Sequence, residues 1–185
     1  MSKAQSLKGR SILLGVTGSI AVYKACELVR LLKEQGAAVY CLMTRGALRF
    51  VSALTFGALS GNAVATDVWD EKLWKMAHLE FAEQADLYII APASTHVLAR
   101  LACGMADDVV CATAVAMTAP LLIAPAMHEG MWLHPATKEN VKKLKSYGAH
   151  FVGPEQGELL RGNIGWGRLA EPETILAAAK KILKK

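Results

Sequence analysis

Hydrophobic residues in this chain form short continuous runs that alternate with longer amphipathic stretches. The first run, residues 12–16, is apolar throughout, as a parallel strand covered on both faces would be. Thr17, Gly18 and Ser19 follow it, and the apolar positions after them recur at helical spacing from Ile20 onward. Gly18 permits a tight bend and Ser19 is a favourable capping residue. The pattern predicts a strand, a glycine turn and a helix capped by Ser19 that packs on a sheet.

The same alternation continues to the end of the chain and predicts one α/β domain over residues 1–185, large enough to bury its own core. Strands separated by helices favour a doubly wound parallel sheet, a Rossmann-like sandwich. The further predicted strands are 37–44, 87–91, 120–125 and 150–152. The further predicted helices are 46–59, 97–105, 108–116, 135–147 and 173–183.

Polar or unusual loops follow three of these strands, at residues 17–19, 92–95 and 125–128. In such sheets ligands bind beyond the carboxyl ends of the strands, where these loops converge. The free N–H groups at the start of the first helix favour an anion, usually the phosphate of a nucleotide or phosphorylated cofactor. The spacing differs from the dinucleotide fingerprint and no Walker motif is present. Each loop alone is compatible with a plain turn, whereas all three together favour a bound phosphorylated cofactor.

A glycine-rich segment over about residues 153–172 contains five glycines from Gly153 to Gly167. Its glycine content predicts a mobile loop with no regular secondary structure. Arg161 and Arg168 bring fixed positive charge to whatever the loop covers. The segment is either a solvated connection or a lid that folds over an anionic substrate, and its length favours the lid.

The composition places the chain among reduced proteins of the cytoplasm with a large apolar content. Hydrophobic residues make up 53%, yet no apolar run reaches the roughly 18 residues that a membrane helix needs. The excess predicts further burial at subunit interfaces. Residues 1–10 show no secretory pattern, and the four cysteines lie in apolar segments without C-x-x-C spacing. This pattern predicts neither disulfides nor a metal site.

The positive net charge of +5 does not indicate a nucleic-acid groove, because it is concentrated at the two ends of the sequence. Seven of the 21 basic residues lie in residues 1–10 and 180–185, which contain no acidic residue. Without these seven, 14 basic residues stand against 16 acidic ones. The middle of the chain is therefore slightly acidic, which argues against nucleic acid as a partner.

Six motifs together resemble the flavin-dependent cysteine decarboxylase family, and they span nearly the whole chain. The resemblance is specific for the FMN-binding fold and less specific for the substrate. The motifs are Gly18-Ser19-Ile20-Ala21-x-Tyr23-Lys24, Pro92-Ala93-Ser94, Ala106-Asp107-Asp108, Pro125-Ala126-Met127-x-x-x-Met131-Trp132, Pro135-Ala136-Thr137 and Gly165-x-Gly167-Arg168-Leu169-x-Glu171-Pro172.

The resemblance implies that FMN binds between the subunits of a homotrimer, which family members often assemble into dodecamers. It places the FMN phosphate near Gly18, Ser19, Ile20, Thr44 and Ser52. The flavin ring is implied to lie near residues 92–95, that is, Pro92, Ala93, Ser94 and Thr95.

The resemblance also implies the reaction, which is decarboxylation of phosphopantothenoylcysteine to phosphopantetheine in coenzyme A biosynthesis, often beside a ligase domain. His78 falls at the family's active-site histidine, and His128 and Arg161 are the other catalytic candidates. The expected substrate contacts are Met127, Met131 and Arg168. Two alternatives remain open: a peptidyl-cysteine decarboxylase of peptide maturation, and a non-catalytic FMN-binding regulatory protein.

The chain departs from the family pattern at three places. His128 replaces the usual Asn after Pro-x-Met, and His96-Val97 replaces Asn-Thr. Arg161 stands where the family has a lid cysteine, which normally donates a proton in the last step. Another acid or water must then serve in that step, or the product stays an enethiol.

Overall fold

The computed structural model describes residues 6–69, 85–158, 162 and 164–184, and a five-stranded parallel sheet lies at its centre. The strands are β1 Ser11–Val16, β2 Ala38–Met43, β3 Leu87–Ala93, β4 Leu121–Pro125 and β5 His150–Phe151. Their order in the sheet is β2-β1-β3-β4-β5, and every neighbouring pair is parallel.

Helices cover both faces of this sheet. They are α1 Val22–Glu34, α2 Ala53–Ser60, α3 Thr95–Ala102, α4 Val109–Ala116, α5 Glu129–Leu133, α6 Pro135–Ser146 and α7 Pro172–Leu183, with a 3-10 turn at Ala47–Arg49. α1 packs against α2 and α7 on one side, and α3 packs against α4 and α6 on the other.

The core is divided by the sheet into two apolar layers because successive side chains of a strand point to opposite faces. In β1, Ile12 and Leu14 belong to one layer and Leu13 to the other. In β3, Ile89 faces the first layer and Tyr88 the second. This two-sided burial confirms the doubly wound α/β sandwich. The strand order reverses between β1 and β3, so their carboxyl ends open a crevice where such folds bind ligands.

Two predicted helix boundaries were wrong. The first helix begins at Val22, not next to Ser19, because residues 18–21 form a separate turn in which Ser19 Oγ accepts from Ala21 N–H at 3.3 Å. Ile20 is accordingly 54% exposed and does not pack on the sheet. The predicted helix 46–59 is interrupted, because Ser52 adopts an extended conformation and caps α2 through Leu54 N–H.

The glycine-rich segment was predicted to hold no regular structure, and that prediction was wrong. Strands β6 Glu155–Glu158 and β7 Ile164–Arg168 pair into an antiparallel ribbon. Its glycines lie within the strands as well as in turns, since Gly157 pairs with Gly165 across the ribbon. A Cβ atom on Gly165 would lie 2.8 Å from the carboxylate of Glu129, which occupies the space that glycine leaves.

Candidate functional site

A cleft of about 1340 Å³ lies at the carboxyl ends of the central strands, with the ribbon contributing part of its wall. Its volume exceeds the roughly 300–1,000 Å³ of an ordinary small-molecule pocket. Most of the residues predicted to bind cofactor or substrate line it. Those residues are Gly18, Ser19, Ile20, Thr44, Ser94, Thr95, Met127, His128, Met131 and Arg168.

Three predicted cofactor residues do not line the cleft. Pro92 and Ala93 are fully buried inside β3, where Ala93 pairs with Pro125 of β4. Ser52 is exposed, and its hydroxyl is used to cap α2. The two catalytic candidates His78 and Arg161 lie outside the described residues.

The turn between β1 and α1 presents unpaired backbone donors. The N–H groups of Gly18, Ser19 and Ile20 reach no acceptor among the described residues. Gly18 is packed against the backbone of Gly46, so a Cβ at position 18 would lie 3.1 Å from Gly46 Cα. This close approach brings the loops after β1 and β2 together. Three free N–H groups beside a helix start are suited to an anion such as a phosphate.

Thr17 fastens this turn to the end of β3. Its side chain is completely buried, and its Oγ1 donates to the Pro92 carbonyl at 2.7 Å. The same oxygen accepts from Ser94 N–H at 2.9 Å. One hydroxyl therefore satisfies a donor and an acceptor in the loop that starts α3, so two strand ends keep a fixed separation.

The start of α3 is linked to the end of β4 in the same way. Ser94 is the N-cap of α3 and accepts from Val97 N–H at 3.4 Å. Thr95 Oγ1 donates to Met127 Sδ at 2.9 Å. The polar loops after β1, β3 and β4 thus meet at one edge of the sheet, as the sequence predicts.

His128 caps α5, and this role determines its tautomer. Its Nδ1 accepts from Gly130 N–H at 3.1 Å. A neutral imidazole that accepts at Nδ1 carries its proton on Nε2. His128 therefore offers a single N–H donor, Nε2, while its backbone holds the ring at the rim of the cleft.

The ribbon is attached to this rim by two hydrogen bonds. Met127 N–H donates to the Gly167 carbonyl at 2.9 Å, and Trp166 N–H donates to Glu129 Oε1 at 2.9 Å. Gly167 has a φ of +130°, and a Cβ there would lie 2.0 Å from the Met127 carbonyl oxygen. Only glycine fits at this contact, and it brings the neighbouring Arg168 to the cleft.

Sequence reasoning did not assign a function to Lys24, although its ammonium lies on the cleft wall. The side chain is only 9% exposed, and its Nζ donates to Glu171 Oε2 at 2.8 Å. The other oxygen of Glu171 accepts from Arg168. The hydrogen bond from Lys24 is the main cause that holds the pKa of Glu171 below its usual value. A signal existed in the sequence: Lys24 shares the helix face of the buried Leu28 and Leu32, four and eight residues further on.

A second charged cluster lines the cleft at Arg100. Its guanidinium pairs with Asp108 at 2.5 Å and with Asp107 at 3.0 Å. Asp108 also caps α4 by accepting from Cys111 N–H at 2.9 Å. The two carboxylates outnumber the one guanidinium, so this cluster carries a net negative charge.

The cysteines are free thiols and none of the four lines the cleft. Burial raises the pKa of Cys41 and of Cys111 to about 12, and it also raises that of Cys26. These three are structural thiols, since a reactive cysteine requires a lowered pKa.

Two further properties concern the part of the chain that the structure describes. No helix there is long and apolar enough to span a membrane. No group of three or more His, Cys, Asp or Glu side chains there could hold a metal ion.

Comparisons with known proteins match nearly the whole chain. The sequence model of the Flavoprotein family matches residues 1–184. The coenzyme A biosynthesis bifunctional protein CoaBC of Mycolicibacterium smegmatis is 47% identical over 176 residues, which cover 95% of this chain and 42% of that protein. The chain thus spans less than half the length of this curated relative.

Two solved structures have the same fold over nearly their entire length. One is a PPC decarboxylase variant in complex with pantothenoylaminoethenethiol, with a TM-score of 0.85, 28% identity, and coverage of 95% of this chain and 99% of that one. The other is the FMN-dependent cysteine decarboxylase SpaF, with a TM-score of 0.82, 30% identity, and coverage of 96% and 97%.

Proposed function

This chain belongs to the Flavoprotein family, and on that premise we propose that it decarboxylates phosphopantothenoylcysteine with the help of bound FMN. One observation carries the proposal: three unpaired backbone N–H groups open into a large cleft formed by loops that bear the family's motifs. The curated relative is named for coenzyme A biosynthesis, and a neighbouring structure is a PPC decarboxylase.

The cleft fits FMN on its own geometry. The phosphate would be held by the N–H groups of Gly18, Ser19 and Ile20, beside the buried hydroxyl of Thr44. The close packing of Gly18 on Gly46 leaves no room for side chains there, as a phosphate cradle requires. The ring would lie near Ser94 and Thr95. Bound FMN would supply a two-electron acceptor for the carbon that bears the sulfur, so that the carboxylate can leave as CO2.

His128 is proposed to bind the substrate carboxylate through Nε2–H, because its Nδ1 is already engaged by Gly130. Met127 and Met131 would contact the apolar part of the substrate, since both line the cleft and Met131 is 49% exposed. His78 remains our proposed group for orienting the thiol or accepting its proton. Arg161 remains a proposed anion contact of the lid together with Arg168.

The oligomeric part of the proposal rests on exposed apolar residues around the cleft. Ile20, Tyr23 and Phe50 line it and are 54%, 63% and 51% exposed. We propose that a neighbouring subunit covers them, so that FMN lies between the subunits of a homotrimer or dodecamer. We also propose that residues 1–185 form one domain in the cytoplasm. A ligase domain or protein is the proposed partner, because the curated relative is a bifunctional protein.

The test is anaerobic mixing of the purified flavin-loaded protein with phosphopantothenoylcysteine, followed by flavin absorbance and product mass. We expect the product to be lighter than the substrate by about 44 mass units, the mass of one CO2, and to retain the phosphate. A saturated thiol product would show that the chain completes the reaction without a lid cysteine. Turnover of a peptide with a C-terminal cysteine but not of this substrate would favour the peptidyl-cysteine alternative. An unchanged flavin with both substrates would favour a regulatory FMN-binding protein.

A further inference from the structure

The proposed reaction requires the cleft to hold two phosphate monoesters, one on FMN and one on the substrate. The first has a candidate site in the backbone N–H groups of residues 18–20. A second phosphate, on a flexible substrate, needs positive charge. The described residues that line the cleft include four with fixed positive charge: Lys24, Arg45, Arg100 and Arg168.

Two of these four are less suited to a ligand phosphate than the others. Arg100 is held by both Asp107 and Asp108. Arg45 is 91% exposed and lies 3.7 Å from Asp67. Arg100 therefore offers no net positive charge, and the charge of Arg45 is screened by solvent beside a nearby carboxylate.

Lys24 and Arg168 differ because they share a single carboxylate, Glu171. The cluster of these three side chains carries a net charge of about +1. Lys24 has three N–H donors, and among the described residues Glu171 is its one partner. An ammonium that is 91% buried with spare donors gains from an anion more than an exposed one would, since burial weakens solvent screening.

Gly157 leaves room for the side chain of Arg168. A Cβ atom on Gly157 would lie 2.8 Å from Arg168 Cδ and 3.2 Å from its Nη1, so the arginine lies across this bare stretch of β6 to reach Glu171. Gly157 has no positive φ, so a side chain there would meet the arginine without straining the backbone. The glycine thus leaves the space that the arginine occupies, and Glu171 holds the guanidinium there.

We propose that Lys24 and Arg168, joined by Glu171 and spaced by Gly157, bind the phosphate of the substrate, and that Lys24 thereby determines specificity for the phosphorylated form. This inference rests on the proposed function for the identity of the substrate. It assigns the FMN phosphate elsewhere, to the turn of residues 18–20.

The experiment measures binding of phosphopantetheine and pantetheine to the FMN-loaded protein by calorimetry, with decarboxylation of the phosphorylated substrate assayed on the same samples. The wild-type protein should prefer the phosphorylated ligand. Lys24→Met should reduce that preference by about 10- to 100-fold, the effect of one hydrogen bond to a charged group. Binding of pantetheine should stay the same.

Gly157→Ala tests the same cluster through Arg168 and leaves Lys24 unchanged. It should reduce the preference in the same direction, by a smaller factor, because only the arginine is displaced. Gly57→Ala is the matched control. Its Cβ would meet only ordinary contacts, the nearest at 3.6 Å, and Gly57 does not line the cleft, so the preference should not change.

The affinities of the protein for FMN and for riboflavin, which lacks the phosphate, test whether Lys24 binds the FMN phosphate or the substrate phosphate. If Lys24→Met abolishes the advantage of FMN over riboflavin and leaves the preference for phosphopantetheine intact, the assignment is overturned. Equal weakening of phosphopantetheine and pantetheine would overturn it as well. If the wild-type protein discriminates the phosphate as expected but releases no CO2, the inference stands and the proposed reaction fails.

Discussion

Replacing Thr17 with valine tests the claim that one hydroxyl holds two strand ends together. The substitution keeps the shape of the side chain and removes Oγ1, which donates to Pro92 O and accepts from Ser94 N–H. Because Thr17 is completely buried, water cannot replace the bond to the Pro92 carbonyl without a rearrangement, and the partly buried Ser94 N–H loses its acceptor as well. Both backbone groups are then left without a partner.

The size of the effect follows from these two orphaned groups. Each buried donor or acceptor left unsatisfied costs about 1–3 kcal/mol, so Thr17→Val should destabilise the fold by about 2–6 kcal/mol. The unfolding entropy of a 185-residue protein is about 0.4 kcal/mol/K. The midpoint temperature Tm should therefore fall by about 5–15 °C.

The assay is thermal unfolding followed by circular dichroism, with Thr113→Val as the matched control. Thr113 is also completely buried, but its hydroxyl donates at 2.7 Å to the Val109 carbonyl within the same helix. Its removal leaves no backbone donor unpaired, so Tm should change by less than about 3 °C. Equal decreases in Tm for the two variants would refute the claim, since burial alone would then account for both.

Three further substitutions test other contacts. Gly167→Ala, at a φ of +130°, places a Cβ atom 2.0 Å from the Met127 carbonyl oxygen. The affinity for FMN, measured by fluorescence titration, should fall because the ribbon is displaced from the rim of the cleft. Glu171→Gln tests a carboxyl whose pKa is lowered chiefly by the Lys24 hydrogen bond. The wild-type protein should have a higher Tm than the variant above pH 4.5, and this difference should vanish as the pH falls through the lowered pKa. A difference in Tm that does not depend on pH would contradict the salt bridge. Gly15→Ala places a Cβ atom 2.6 Å from the hydroxyl oxygen of Tyr88, so its loss of stability in urea should be partly rescued by Tyr88→Phe and not deepened by it.

The sheet could be predicted from the sequence because its strands are buried on both faces. A run such as residues 87–91 has no polar residue to place at a surface, and it is followed by polar loops at the correct edge. The same logic correctly assigns Gly18, Ser94 and His128 to one cleft. Continuous apolar runs and loop chemistry are local properties, and local properties can be read along a chain.

The ribbon could not be predicted in this way, because glycine was interpreted through its conformational freedom alone. Gly157, Gly165 and Gly167 each stand where another group of the protein occupies the place of a side chain. Those groups are the arginine at position 168, the carboxylate of residue 129 and the carbonyl of residue 127. Such contacts depend on segments that meet only in the folded chain, so the glycine content predicts a mobile loop where the structure has a closely packed ribbon.

The net charge of the cluster formed by Lys24, Glu171 and Arg168 could not be predicted from the sequence either. A lysine on the buried face of a helix requires a counter-charge, so the sequence around Lys24 predicts that some carboxylate must reach it. It does not predict which one, because the partner Glu171 lies 147 residues away. Glu171 in turn is shared with Arg168, and only that sharing leaves one positive charge uncompensated. The property that would select a phosphorylated substrate therefore belongs to none of these residues alone. It arises when the first helix, the ribbon and the last helix meet, which is why the family motifs mark all three segments and cannot by themselves say what the segments bind.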